Sequence, residues 1–394
     1  MKYSNRFEWD ASPHPLSVAW QHKRDRGEAL IDLTEANPTK VGLDYPVDAV
    51  LDPLVKPDAM VYSPAPQGLL VAREAVSGYY RKVGKTIAPS NILLTASTSE
   101  AYSLLFKLLA DPGDEILIPR PGYPLLSHLA GFEGLSCCSY PLRRDEKKGW
   151  MVDLEVLYAL VTPRTRAVVI VNPNNPTGSF IKEHELAAID TMCQKHGMAL
   201  IVDEVFADYV GSSPVQAIQT AVNRTSSPTF VLNGFSKILG LPQMKLGWIV
   251  CGGSAQQTAT AAAHLETLND FYLSVATPIQ WAAPELLAQQ DCIQNQVKAR
   301  IAANETFLRT LVEKTCNIHL LIREGGWYSV LVIDDCIADD SRALDLLEQD
   351  QTLVHPGFFY DFHREGFVVI SLLPVPELFR KGIRRLIHRY GEPV

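Results

Sequence analysis

The sequence predicts an α/β fold: a mostly parallel sheet covered by helices on both faces, followed by a smaller α+β domain. Three observations carry this. Short apolar runs without polar alternation recur through the middle of the chain, at 167–171 and 199–203 among others, and a strand with no polar face is buried on both sides. Helical patterns separate these runs, as parallel strands joined by crossovers require. In the C-terminal third the order changes to a long helical pattern with two isolated strands.

Taken in order, residues 91–95 read as a strand and 99–110 as a helix. Asp111-Pro112-Gly113-Asp114 stops that helix with turn-forming residues. Further strands are predicted at 115–119, 167–171, 199–203, 229–232 and 246–250, with a helix at 183–196. Residues 293–315 form a long helical pattern, 328–333 and 367–371 read as strands, and 376–389 closes as a helix whose basic last turn suits the helix dipole. The expected division is residues 46–285 as a large domain and 286–394 as a small one, with 1–45 packing against the small domain. Trp327-Tyr328 and Phe358-Phe359-Tyr360 are assigned to the small-domain core, with the lining of a substrate entrance as the alternative.

Composition narrows the function classes. Of 394 residues, 47% are hydrophobic, which excludes disorder as the main state. There are 36 Lys+Arg against 44 Asp+Glu, a net charge of −8, so no nucleic-acid partner is expected. Apolar stretches are strand-sized, far short of the ~20 residues that span a bilayer. The N-terminus carries no apolar targeting core, so a cytoplasmic protein without membrane contact is expected. The seven cysteines lack C-x-x-C spacing, and the ten histidines lack ligand spacing; reduced thiols and no metal are the reading.

In open parallel sheets, ligands sit beyond the carboxyl ends of the strands. After the first strand comes Ala96-Ser97-Thr98-Ser99-Glu100. Ser97 with Glu100 fits a capping box, and Thr98 and Ser99 put hydroxyls at a helix N-terminus that favours an anion. Plain capping is the alternative. After residue 171 comes Asn172-Pro173-Asn174-Asn175-Pro176-Thr177-Gly178, a rigid turn presenting amides, compatible with or without a ligand. Asp203-Glu204 follows the strand at 199–203; an acid buried there requires a cation, either a protonated heterocyclic nitrogen or an arginine. After 232 comes Asn233-Gly234-Phe235-Ser236-Lys237, then Lys245-Leu246-Gly247-Trp248. A sheltered lysine has a lowered pKa and can form an imine with an aldehyde. One such lysine means little; four strand ends with this chemistry together mean more.

In their order and spacing, Asn175-Pro176-Thr177-Gly178, Asp203-Glu204, Ser236-Lys237, Pro242 and Gly247-Trp248 resemble the class I/II aminotransferases, pyridoxal 5′-phosphate (PLP) enzymes of fold type I. The resemblance runs from about Leu33 to Leu386. It implies a seven-stranded, mostly parallel sheet and a homodimer. It also implies that Lys237 forms the internal aldimine and shuttles the substrate proton. Asp203 would keep the pyridine nitrogen protonated, Asn175 would bond the ring's phenolic oxygen, and Tyr123 would stack on the ring. Thr98, Ser99, Ser236 and Lys245 would cradle the phosphate, with Tyr62 reaching that of the neighbouring subunit. Ala36 and Asn175 would border the substrate, an amino or keto acid.

Four positions depart from the family pattern. Phe206 stands where a tyrosine usually lowers the aldimine pKa, so a raised value is expected. Gly234 replaces a hydroxyl residue, and Lys245 replaces an arginine, keeping charge but losing the bidentate fork. Val369 occupies the place of the arginine that clamps the substrate carboxylate; Arg323 and Arg364 are the nearest alternative cations. The leading reading is transamination. Another PLP reaction (β-elimination, decarboxylation or a cyclising synthesis) is the alternative, because the same lysine and acid serve them all. A non-catalytic PLP-binding regulator is the third, disfavoured by the acidic balance.

Overall fold

The computed structural model describes residues 1–7, 9, 12–211 and 217–394. Its strands, in chain order, are β1 (Ile31–Asp32), β2 (Ile92–Thr95), β3 (Glu115–Arg120), β4 (Ser136–Asp145), β5 (Gly149–Val152), β6 (Thr165–Val171) and β7 (Ala199–Asp203). They continue with β8 (Thr229–Gly234), β9 (Gly247–Gly252), β10 (Ile318–Leu320), β11 (Tyr328–Ile333), β12 (Thr352–Leu353), β13 (His355–Pro356) and β14 (Phe367–Ser371). The central sheet has the order β2-β9-β8-β7-β6-β3-β4-β5. It contains eight strands rather than the seven expected. The additional strand is β5, which folds back antiparallel on β4 as a hairpin.

The absence of alternation in the central strands has a direct cause. Val168, Ile170, Leu200 and Val202 enter the apolar core on one face of the sheet, while Ala167, Val169, Ala199 and Ile201 enter the core on the other. Every residue of such a strand leaves water, at about 25 cal/mol per Å² of apolar surface. Helix Glu183–His196 covers one face and ends at Gly197, whose φ of 66° is the left-handed cap that glycine adopts without strain. Helix Thr98–Leu109 starts one residue earlier than expected because Ser97 is its N-cap, accepting from Glu100 N at 3.2 Å. Glu100 bonds back to Ala96 N rather than to Ser97 N.

β4, β3, β6, β7 and β8 run parallel; β9 is antiparallel to both β8 and β2. The carboxyl ends of β2, β3, β6, β7 and β8 therefore lie along one edge of the sheet, where β9 begins. At this edge Gly234 pairs with Gly247, and Gly247 pairs with Thr95. A Cβ on Gly234 would fall 2.9 Å from Gly247 Cα. Glycine at this pair lets the backbones approach, drawing the segment after β8 against the start of helix Thr98–Leu109.

The C-terminal sheet is antiparallel, in the order β10-β11-β14-β13. Helices Gln290–Val312, Asp339–Asp350 and Pro376–Tyr390 supply its second apolar core. β1 pairs with β12 in parallel, and Ser371 N donates to Leu33 O at 2.7 Å, tying the N-terminal segment to this region. No helix among the described residues is long and apolar enough to cross a membrane.

Candidate active site

Lys237 lies on the short helix Phe235–Ile238 that leaves β8. Its Nζ is 4.6 Å from the centroid of the Trp327 ring and 5.2 Å from that of Phe206. Removal from water lowers its pKa to about 8, and the negative charge of Asp203 opposes the shift. An amine in this state is available as a nucleophile and base close to neutral pH.

Asp203 ends β7 and is buried. Tyr102 donates its hydroxyl to Oδ2 at 3.0 Å, and Val205 N donates to Oδ1 at 3.1 Å. Burial raises the Asp203 pKa to about 6, against the pull of these bonds and of Lys237. The next residue, Glu204, is also buried; it accepts from Ala221 N at 2.7 Å, and burial pushes its pKa up to about 8.

The three asparagines of the turn after β6 divide in role. Asn172 donates to Ile218 O and accepts from Ile181 N. Asn174 accepts from the Thr177 hydroxyl at 2.9 Å and donates to Pro121 O. Both hold the loop. Asn175 Oδ1 is buried with no partner, so the oxygen calls for a donor, while Nδ2 of the same amide is the group that can donate to a ligand oxygen. Thr98 and Ser99 open their helix one strand end away. Ser236 precedes the lysine, and Lys245 sits at φ 49° just before β9. These hydroxyls, the amides that open helix Thr98–Leu109 and one lysine follow strand ends on a single sheet edge, the chemistry that an anion requires. A buried acid, a desolvated amine and an amide at neighbouring strand ends suit the chemistry of PLP.

Other expectations divide. Tyr123 follows Gly122, whose N–H donates to Tyr360 O at 2.9 Å, and its ring is 47% exposed. Phe206 is buried edge-on against Trp327 and Tyr328. Ala36 lies on the segment leading from Leu33, beside the carboxyl end of β14. Tyr62 is not drawn to Lys237 within the chain; it is 76% exposed. Arg323 is not a substrate cation: it is buried, pairs with Glu305 Oε2 at 2.5 Å and donates to Gly326 O. Trp327 is in the core, as expected, and also lies over the lysine. Sequence reasoning missed Tyr102, although it falls four residues after Thr98 and hence on the same helix face. It also missed Tyr209, whose hydroxyl bonds Lys237 O at 2.6 Å.

A sheet edge that gathers these groups meets the requirements of a PLP-dependent transferase of fold type I. The chain belongs to the aminotransferase class I and II family, whose sequence model matches residues 31–384, and it is a PLP-dependent aminotransferase. It is 27% identical over 368 residues to the glutamate-pyruvate aminotransferase AlaA of Escherichia coli K12, covering 91% of this chain and 90% of that protein. It is 26% identical over 370 residues to an alanine aminotransferase of Mycobacterium tuberculosis H37Rv, covering 91% and 85%. An alanine aminotransferase of Pyrococcus furiosus superposes with a TM-score of 0.86 at 23% identity, covering 99% of each chain. At that identity the superposition speaks for the fold alone.

Proposed function

We propose that this aminotransferase exchanges the amino group of a small amino acid, alanine or glutamate, with a keto acid such as pyruvate. The names of its relatives support the substrate pair. The observation that carries the site assignment is the Lys237 amine, lowered in pKa, on the same sheet edge as buried Asp203. Bound PLP supplies an aldehyde for covalent attachment and a ring that accepts electrons.

The chain's residues do the rest. With PLP bound, Lys237 Nζ would accept the α-proton of the substrate and carry it to the cofactor carbon that bears the aldehyde. Asp203, held by Tyr102, keeps a negative charge opposite the protonated ring nitrogen. Asn175 would donate from its Nδ2 to the ring oxygen, Tyr123 would stack, and Phe206 packs beside the lysine. Thr98, Ser99, Ser236 and Lys245 hold the phosphate. Ala36 and Asn175 border the substrate.

The protein acts as a homodimer in the cytoplasm. Val55, Met60, Val61 and Tyr62 are exposed apolar side chains that a second copy would cover, and the family resemblance of Tyr62 is what assigns it to the partner's phosphate site. The chain divides into 46–285 and 286–394, and the β1–β12 pairing supports placing 1–45 with the latter.

The test is the visible spectrum of the PLP-loaded protein with single amino acids. Alanine or glutamate should convert the cofactor band to that of the amine form, and Lys237→Ala should abolish both band and conversion. If no amino acid converts the band, the substrate assignment is wrong.

A further inference from the structure

The family's carboxylate arginine is replaced by Val369, and what surrounds that valine is informative. Val369 is fully buried in β14, directly opposite Val330 on one side and His355 on the other. Directly opposed residues of antiparallel strands share a face, so His355 stands beside the position the guanidinium would occupy. His355 Nδ1 lies 2.9 Å from the Tyr360 hydroxyl. The Tyr360 ring lies 6.4 Å from that of Tyr328, Tyr328 lies 6.4 Å from Phe206, and Phe206 is 5.2 Å from Lys237 Nζ. A continuous aromatic wall thus runs from the lysine to the His355–Tyr360 pair. The Tyr360 carbonyl also accepts from Gly122 N, which fixes the wall against Tyr123.

We propose that the Tyr360 hydroxyl, oriented by His355, receives the substrate carboxylate in place of the missing arginine; this rests on the reading that the substrate is an amino acid. A carboxylate brought into this wall requires donors, since an unpaired buried charge is costly. Arg323 is occupied by Glu305. Arg364 is exposed and stacks 5.1 Å from the Phe367 ring, in an outer groove with Arg120 and Arg144. With His355 donating from Nδ1 to the tyrosine oxygen, the Tyr360 proton is free to point at a carboxylate oxygen. Desolvation holds the His355 pKa down at about 4, so the pair is neutral before substrate arrives. A neutral donor holds a carboxylate less tightly than a bidentate guanidinium, so a high KM for amino acids is the corollary.

The test uses propanoate, which carries the carboxylate but no amine, titrated calorimetrically into the PLP-loaded protein. Tyr360→Phe should weaken propanoate roughly tenfold, the loss expected for one hydrogen bond to a charged group, while retaining the cofactor band. His355→Leu should weaken it several-fold, and His355→Asn, which keeps a donor near Nδ1, should restore most of the affinity. Arg364→Gln should leave it unchanged. In the alanine half-reaction, Tyr360→Phe should raise KM while kcat changes less. The proposal is overturned if propanoate fails to bind the wild type, if Tyr360→Phe binds it as the wild type does, or if Arg364→Gln alone weakens it. If the propanoate pattern holds and no amino acid converts the cofactor, the carboxylate site stands and only the substrate assignment fails.

Discussion

Tyr209 donates its hydroxyl to the main-chain carbonyl of Lys237 at 2.6 Å, gripping the backbone of the residue whose side chain does the chemistry. Tyr209 lies one turn beyond Phe206, with its N–H bonded to Phe206 O. The two residues on this turn take different tasks: Phe206 packs beside the Lys237 amine, and the phenol one turn later holds its backbone.

Tyr209→Phe removes only that grip. The buried carbonyl loses its partner, and about 1–3 kcal/mol of stability should go with it. The lysine also loses its fixed position, so the rate of the half-reaction should fall roughly tenfold. Urea denaturation and stopped-flow absorbance measure the two effects. An unchanged rate with reduced stability would limit Tyr209 to a packing role.

Glu204 makes apoprotein stability depend on pH. Burial raises its pKa from 4.5 to about 8, so between these values the folded state binds more protons than the unfolded one. Stability from this group is complete below about pH 4.5 and is lost as pH rises through 8. The slope is at most ~1.4 kcal/mol per pH unit. Glu204→Gln should flatten the dependence between pH 5 and 8 while still accepting from Ala221 N. Denaturation midpoints of both apoproteins at pH 5, 6.5 and 8 provide the comparison, and parallel curves would refute the assignment.

Strand ends explain why much of the site was legible in sequence. Asn175, Asp203 and Lys237 each follow an apolar run directly, and parallel topology brings their positions to one edge. Tyr102 carried a weaker signal, the four-residue spacing from Thr98. Phe358-Phe359-Tyr360 read as core with a substrate entrance as the alternative, but the pairing of Tyr360 with His355 and its approach to Tyr328 carried no signal, because no local pattern encodes which distant side chains meet. The β4–β5 hairpin was missed for a different reason. Ser136–Asp145 reads Ser-Cys-Cys-Ser-Tyr-Pro-Leu-Arg-Arg-Asp and is half exposed, as suits the margin of a sheet, so it lacks the apolar run that marked the central strands. The cation at Arg323 was misjudged because Glu305, its partner, is eighteen residues away on helix Gln290–Val312.

A buried ion pair ties the segment after β6 to the segment before β11. Lys182 Nζ lies 2.7 and 2.5 Å from the carboxylate oxygens of Glu324, which also accepts from Phe180 N at 2.8 Å. Both side chains are at most 5% exposed. Removing one partner leaves a buried charge alone, so Lys182→Met should cost roughly 3–5 kcal/mol. The double variant Lys182→Met with Glu324→Gln should recover part of that loss. Since Glu324 stands three residues before Trp327, the single variant should also disturb the wall beside Lys237, read as a change in tryptophan fluorescence. A loss below 1 kcal/mol would mean that water reaches the pair.

Phe206 tests how the lysine is tuned. The ring sits 5.2 Å from Lys237 Nζ and edge-on to Trp327, with ring centroids 5.3 Å apart, and it offers no hydrogen-bond donor. Phe206→Tyr places a phenol at this position with only one added atom. A donor near the cofactor's ring oxygen stabilises its negative charge and so favours the deprotonated lysine–cofactor form. The pH at which the visible band of the loaded enzyme changes should therefore fall by about one unit or more in Phe206→Tyr. Spectrophotometric titration between pH 5 and 10 reads this directly. An unshifted titration would mean that the added hydroxyl points into the Trp327–Tyr328 cluster and that Phe206 acts through packing alone; the Tyr328 ring, 6.4 Å away, is the first neighbour it would meet.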